Sequence, residues 1–328
     1  MEIRRKNIMP LVSAPFKPGT ALEFIDTIED YDEKQMALAD YYQYTGKAKN
    51  AVDIAKRYLN SEDMTLSIPA HTICFISGLA IGDAALARKT LRSLERMESE
   101  FEHHGSGKYC TNMLRIVLYL KNDEVETPLR IPEELPNGVR YFACFFLALN
   151  EYLNERFENA VGMASNALTL GAGNYPIPKI YLHLISAAAL IRSRDLKEAE
   201  HHYELAVETA KPDGFYAPFA QMYVLLAGLN AKRIKREDAE LYKKISKYAN
   251  TYIMTWVDAH DGLVDWLPDD GLTKTEQIVA LLFGKGFSAK EIAGLMDLSV
   301  NTVKTHIARA YRKTAVQNRE ELSKGVIG

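Results

Sequence analysis

The stretch that decides the fold is GFSAKEIAGLMDLSVNTVKTH, residues 286–306. It contains two helix-start signals. Ser288 is followed three residues later by Glu291, and this pairing is a capping box that satisfies free N–H groups at a helix N-terminus. Ser299 is a second N-cap candidate, because apolar residues follow it at helical spacing. The stretch therefore predicts two short helices separated by a tight turn.

A third helix start lies upstream, where Thr273 is followed by Glu276. Three short helices with a tight turn between the last two follow the helix-turn-helix plan, in which the final helix enters the DNA major groove. Four residues of that final helix share one arc and are predicted to face inward: Val303, Ile307, Ala310 and Thr314. Their expected partners are Ile278, Leu281, Leu282, Ile292 and Met296.

The opposite arc of the final helix is predicted to read bases, and it carries Asn301, Lys304, Thr305 and Ala308. Lys304 can donate to guanine and Asn301 can pair with adenine. The Thr305 methyl and Ala308 can touch thymine methyls. Cations and helix N-terminal amides bind phosphate, which predicts phosphate contacts at Ser288, Lys290, Ser299, Arg312 and Lys313.

Residues 272–322 resemble the LuxR-type (FixJ/NarL-like) helix-turn-helix family. The matching motifs are Leu272-Thr273 with Glu276, Gly286-x-Ser288-x-Lys290-Glu291-Ile292-Ala293, Ser299, and Thr302-Val303-Lys304-x-His306. The resemblance implies a four-helix domain that binds double-stranded promoter DNA, with Lys304 and Thr305 at base-contacting positions. Thr302 and His306 belong to the family signature and join the expected positioning residues.

Several positions depart from the family pattern. Asp297 occupies the turn where the family often has glycine, and Gly294 lies inside the second helix. Ala308 stands where a basic residue is frequent, so fewer base contacts are expected. The fourth helix, which supplies the dimer contact in this family, begins at an Asn318 cap and is short. We therefore expect any homodimer to depend on other parts of the chain.

Charge is distributed unevenly along the chain. The 328 residues carry a net charge of −3, which is not a nucleic-acid signature for the whole molecule. From Leu272 onward, however, the chain has nine Lys and Arg residues and only five Asp and Glu residues. A basic end on an acidic body is expected where only one part meets phosphate. Three scattered cysteines without CxxC spacing indicate reduced thiols and a cytoplasmic protein.

The body in front of the basic end is predicted to be a helical repeat. Small residues on a first helix precede a turn and mixed small and large residues on a second, as in 187–190 followed by 196–206. This spacing resembles the tetratricopeptide repeat, whose period is about 34 residues. With the C-terminal domain, it resembles the sensor region of MalT-like regulators without their nucleotide-binding domain. The predicted domains are an extended arm (1–20), a repeat body (21–260), an acidic linker (261–271) and the helix-turn-helix domain (272–328).

Other site types find little support. Adjacent histidines, His103-His104 and His201-His202, lack the i, i+4 spacing that places two metal ligands on one helix face. No phosphate-binding glycine loop and no nucleophile–base set is recognisable, so we expect no metal, no cofactor and no enzyme activity. The acidic linker is interpreted as a solvated tether, with docking on the basic domain as the lesser alternative. Neither a signal peptide nor a membrane span is expected.

The sequence therefore predicts an all-α protein with a tetratricopeptide-like body and a LuxR-type domain. The predicted function is transcription regulation, in which the body senses an unknown small molecule or protein. The alternative is a protein-interaction scaffold with a vestigial helix-turn-helix. The intact run from Thr302 to His306 favours the first hypothesis.

Overall fold

The structure is a computed structural model that describes residues 9–97, 105–118, 136–226, 228–261, 271–284, 286–319 and 321–322. All regular secondary structure in these ranges is helical, which confirms the predicted all-α class. The chain divides into two compact units, Met1–Pro218 and Phe219–Gly328.

The helices of the first unit come mostly in pairs. Their bounds are α1 (Ala21–Asp26), α2 (Tyr31–Tyr44), α3 (Ala48–Ala55), α4 (Met64–Ile81), α5 (Ala84–Met97), α6 (Gly105–Val117), α7 (Asn137–Leu153), α8 (Phe157–Leu170), α9 (Pro176–Arg192) and α10 (Leu196–Ala210). A short helix, α11 (Ala217–Gln221), crosses the boundary between the units. Within each of the pairs α2–α3, α4–α5, α7–α8 and α9–α10, the two helices pack against each other.

The turns inside these four pairs share one backbone geometry. Each has a residue with positive φ, namely Gly46, Gly82, Glu155 and Arg194. The next amide then donates to the carbonyl five residues earlier, as Asp195 does to Leu190 at 3.0 Å. The equivalent bonds are Lys47 to Tyr42, Asp83 to Gly78 and Arg156 to Glu151. This is the Schellman turn, which satisfies carbonyls left free at a helix C-terminus.

The core of the first unit depends on small side chains. Ala187, Ala188 and Ala189 on α9 are fully buried, and α9 packs against α7, α8 and α10. Alanine lets neighbouring helix axes approach closely, while aromatic residues such as Tyr203 and Tyr181 fill the remaining space. The small residues noted in the sequence therefore lie at helix contacts.

Residues 9–16 precede the helices and are mostly buried. Leu11 and Val12 are 0% exposed. Residues 9–13 form a turn, because both the amide and the hydroxyl of Ser13 donate to the Met9 carbonyl, at 2.9 and 2.5 Å. Farther along, the amides of Gly19 and Ala21 donate to the Asp213 carboxylate at 2.6 and 3.0 Å. Burial of residues 9–16 and the two bonds to Asp213 thus hold the start of the described chain within the first unit.

The second unit contains α12 (Leu229–Glu237), α13 (Ala239–Asp261), α14 (Lys274–Gly284), α15 (Ala289–Met296) and α16 (Val300–Thr314). Helix α13 packs against α12, α14 and α15. Residues 219–261 therefore group with the three helices of the predicted helix-turn-helix. The proposed acidic linker lies almost wholly at 262–270, outside the described residues, and the predicted domain boundaries stay predictions.

Within the described ranges, one helix is long and apolar enough to span a membrane. This is α4, and 67% of its apolar stretch is buried inside the protein. Burial of this kind is typical of a core helix. Its inward contacts with α2, α3 and α5 account for the apolar composition.

Candidate nucleic-acid interface

Each of the three C-terminal helices begins at a capped residue, as the sequence predicts. The Thr273 amide donates to Glu276 at 2.9 Å, and the Glu276 amide donates to the Thr273 hydroxyl at 3.3 Å. Ser288 and Glu291 form the same reciprocal pair, at 2.8 and 3.2 Å. Ser299 accepts from the Thr302 amide at 3.0 Å. The predicted starts of α14, α15 and α16 are confirmed.

The turn between α15 and α16 sets the angle between these helices. Asp297 adopts a left-handed conformation, with φ 54° and ψ 43°. Its neighbour Leu298 donates its amide to the Ala293 carbonyl at 3.0 Å, five residues back. Asp is among the few residues that visit this region readily, since its short polar side chain can bond locally. The tight turn therefore forms without the glycine frequent in the family.

Helix α16 has one buried and one exposed face. Val303 and Ala310 are buried, and Ile307 and Thr314 are half-buried. The four residues of the predicted base-reading face are all exposed: Asn301, Lys304, Thr305 and Ala308. The predicted orientation of the helix is thereby confirmed. The contacts of these side chains with bases stay a prediction.

The Thr305 hydroxyl donates to the Asn301 carbonyl at 2.9 Å, one helical turn back. This bond satisfies the hydroxyl within the helix. The methyl group is then the part of Thr305 left for a partner, which agrees with the predicted contact to a thymine methyl.

The residues predicted to contact phosphate divide into two groups. Lys290 and Arg312 are exposed cations on α15 and α16. The Ser288, Ser299 and Thr302 hydroxyls all take part in helix caps. Because these hydroxyls are engaged in caps, we assign them a positioning role. The caps fix the helix N-termini, and the free amides there favour anions such as phosphate. His306 is half-buried, and its buried Nδ1 has no hydrogen-bond partner among the described residues.

Lys313 is engaged inside the domain. Its ammonium donates to Glu276 at 2.6 Å and to the Gly271 carbonyl at 2.7 Å. The Glu276 side chain is only 2% exposed. Burial raises its pKa, but the hydrogen bonds from Lys313 and Thr273 outweigh that effect and hold the pKa at about 2. Lys313 therefore ties the last turn of α16 to the first turn of α14.

A second basic residue also holds the domain together. The Arg319 guanidinium lies 4.2 Å from the centroid of the Phe283 ring and donates to the carbonyls of Phe283 and Phe287. The Asn318 side chain accepts a hydrogen bond from the Glu321 amide at 2.9 Å, which confirms the cap predicted for the short helical turn that follows α16. Leu322 is buried in that turn and clusters with Ala280 and Ala310.

Residues of the second unit that precede the predicted domain also contact α14 and the start of α15. The Tyr223 ring stacks on Phe287, with centroids 5.8 Å apart and planes at 14°. A Cβ at Gly228 would collide with the Glu291 carboxylate, so the chain passes very close to the capping box. Asp258 pairs with Lys274 at 2.5 Å. The sequence did not predict these contacts. The one hint was the glycine at position 228, whose φ is +88° in the structure.

Comparison with known proteins agrees with the geometry. Residues 270–324 match the family of bacterial regulatory proteins described as the luxR family. The response regulator protein VraR of Staphylococcus aureus is 40% identical over 50 residues, and so are VraR of Staphylococcus saprophyticus and of Staphylococcus epidermidis. The match covers 15% of this chain and 24% of each relative, so the chain spans about a quarter of the length of these curated relatives.

No solved structure matches the chain significantly. The match to the luxR family covers the segment that contains α14, α15, α16 and the turn capped by Asn318. These elements have the caps, the left-handed turn and the exposed final helix that the helix-turn-helix plan requires. Residues 270–324 are therefore a LuxR-family helix-turn-helix domain.

Proposed function

We propose that this protein is a DNA-binding transcriptional regulator whose helical body senses an effector. The observation that carries the proposal is the exposed face of α16, with Asn301, Lys304, Thr305 and Ala308 side by side behind a capped N-terminus. A helix presented in this way fits the major groove, where each base pair displays a distinct pattern of donors and acceptors.

In the proposed complex, Lys304 and Asn301 read base edges, and the Thr305 methyl and Ala308 pack on thymine methyls. Lys290 and Arg312 bind phosphates on either side of the groove. His306 is best placed with its proton on Nε2, because an orphaned N–H at the buried Nδ1 would be more costly than an orphaned lone pair. That tautomer can donate to a phosphate. Lys313 acts through Glu276 as a positioning residue.

The body is proposed to be a tetratricopeptide-like sensor. Support comes from the Schellman turns, which recur at Gly46 and Gly82 and again at Glu155 and Arg194. Support also comes from the paired packing of the helices that these turns join. Proteins of this architecture bind partners on extended surfaces formed by stacked helix pairs. We further propose that the protein binds DNA as a homodimer, on half-sites about one DNA turn apart.

A mobility-shift assay tests the proposal directly. Sites selected from random DNA at fixed salt would be incubated with the full chain and, in parallel, with residues 219–328. Binding to a defined sequence, lost in Lys304→Ala, is the expected result. Absence of any sequence preference in the full chain at physiological salt would refute the proposal. The protein-interaction scaffold would then be the better account.

A further inference from the structure

The N-terminal segment 9–16 occupies the interior of the first unit. Leu11 lies beside Asp40 of α2, and the Val12 carbonyl lies against Gly138 of α7 so closely that a Cβ there would collide with it. Phe16 contacts Phe215, beyond α10, with ring centroids 6.3 Å apart. One short segment thus touches the first, middle and last parts of the unit. We call residues 9–16 the plug.

Asp40 is poorly matched to the plug. It is 1% exposed, and among the described residues no group donates a hydrogen bond of normal geometry to either carboxylate oxygen. Burial raises the pKa of Asp40 to about 8, and a hydrogen bond from the Leu11 backbone, which falls short of normal geometry, lowers it only in part. Buried carboxylates are almost always paired or hydrogen-bonded. The plug therefore offers Asp40 only one poorly aligned backbone hydrogen bond, which is too little for an ionised carboxylate.

Aromatic rings lie next to this carboxylate. Tyr44 follows Asp40 by one helical turn on the same face of α2, and the charge of Asp40 raises the pKa of Tyr44 further, after burial itself. The Tyr44 ring centroid lies 6.3 Å from Tyr181 and 6.2 Å from Phe215. All three rings are at most 5% exposed. Aromatic faces attract cations, and Asp40 adds a counter-charge once a bound cation favours its ionised form.

We propose that the interior now occupied by the plug is a binding site for a small aryl-alkyl amine, whose ammonium group pairs with Asp40 after the plug is displaced. The aryl group would replace Leu11 and Phe16 against Tyr44 and Phe215. The plug is then an internal competitor, and its release is the conformational signal. This proposal rests on the proposed sensor function only in identifying the amine as the effector; binding itself requires no DNA.

The test uses the full chain with tyramine as the probe and the corresponding neutral alcohol, 2-(4-hydroxyphenyl)ethanol, as its matched analogue. Hydrogen exchange of residues 9–16 reports displacement of the plug, and thermal melting reports binding. Tyramine is expected to raise the melting temperature and to accelerate exchange in 9–16, whereas the alcohol does neither. A wild-type chain that ignores tyramine, or responds equally to both compounds, overturns the proposal.

Two variants locate the site. Asp40→Asn is expected to abolish the tyramine response, whereas Asp53→Asn, at an exposed aspartate of α3, should keep it. An unchanged response in Asp40→Asn overturns the proposal. If that variant does not fold, Leu11→Ala decides, because a weakened plug should lower the half-saturating tyramine concentration by about tenfold or more. An unchanged concentration in Leu11→Ala counts against the proposal.

DNA binding is measured separately, without amine, by mobility shift. A chain that binds DNA but ignores tyramine refutes the amine site and leaves the regulator function intact. A chain that binds tyramine through Asp40 but never binds DNA refutes the regulator function and leaves the amine site intact.

Discussion

The ammonium nitrogen of Lys313 lies 2.6 Å from a carboxylate oxygen of Glu276, although 37 residues separate them in the sequence. Glu276 also caps α14 through Thr273. One buried carboxylate therefore fixes both the start of α14 and the end of α16. The orientation of the proposed recognition helix depends on this contact at the end farthest from its capped N-terminus.

Lys313→Met should destabilise the second unit by about 3 kcal/mol, because removing one partner of a buried ion pair leaves the other charge unpaired. Arg312→Met is the matched control, since Arg312 is exposed on the same turn, and its effect should stay within about 0.5 kcal/mol. Urea unfolding of residues 219–328 measures both. Equal destabilisation by the two variants would contradict the structural role of Lys313.

The contact between Lys313 and Glu276 also predicts that the stability of the second unit depends on pH. Because the folded pKa of Glu276 is held at about 2, below the usual value of about 4.3, its contribution to stability is present above pH 4.3. That contribution is lost as the pH falls toward 2. The difference in unfolding free energy between wild type and Glu276→Gln should therefore shrink between about pH 5 and pH 2.5. A constant difference across that range would show that Glu276 is not held ionised.

Gly294→Ala should stabilise the second unit by about 1 kcal/mol, because glycine weakens a helix interior and a Cβ at this exposed position meets no atom within 4 Å. Gly228→Ala is the opposite case. Its φ is +88°, and a Cβ would collide with the Glu291 carboxylate, so it should be destabilising. Thermal unfolding of both variants provides the comparison, and stabilisation by both would rule out the close approach at Gly228.

Arg194→Gly should stabilise the first unit by about 1 kcal/mol, because the φ of Arg194 is 65°, a region that disfavours side chains. Ser193 precedes it in the same turn with φ −78°. Ser193→Gly should instead be neutral or slightly destabilising, because glycine only adds freedom to the unfolded chain there. Chemical denaturation of the full chain measures both. Destabilisation by Arg194→Gly would indicate a side-chain contact that outweighs the backbone strain.

Lys304→Ala should weaken binding to the selected site and relax its sequence preference, since a base-reading donor is worth about 1–3 kcal/mol. Lys290→Ala should instead weaken binding to all sequences alike and reduce the slope of log K against log salt by about 1. Fluorescence anisotropy at several salt concentrations distinguishes these outcomes. A purely sequence-independent effect of Lys304→Ala would remove it from the base-reading face.

Local rules predicted the C-terminal helices well. The caps at Thr273, Ser288 and Ser299 involve residues three apart, so their chemistry is visible in the sequence. The two faces of α16 follow from helical periodicity in the same way.

Contacts between distant residues were not predictable. Nothing in the pattern around Tyr223 indicates a stack on Phe287, and nothing links Lys313 to Glu276. The left-handed residues Glu155 and Arg194 were also hidden, because charged residues give no sign of positive φ. Asp40 was equally unmarked, since the plug residue that lies beside it, Leu11, is distant from it in the sequence.

The Schellman turns of the first unit depend on main-chain atoms alone, and they form with Gly46 and Gly82 as well as with Glu155 and Arg194. Hairpin geometry is thus preserved while the side chains between turns change. Such a scaffold tolerates changes in its exposed side chains without loss of its architecture. Divergence of this kind leaves the likeness between the helix pairs stronger in the backbone than in the residues.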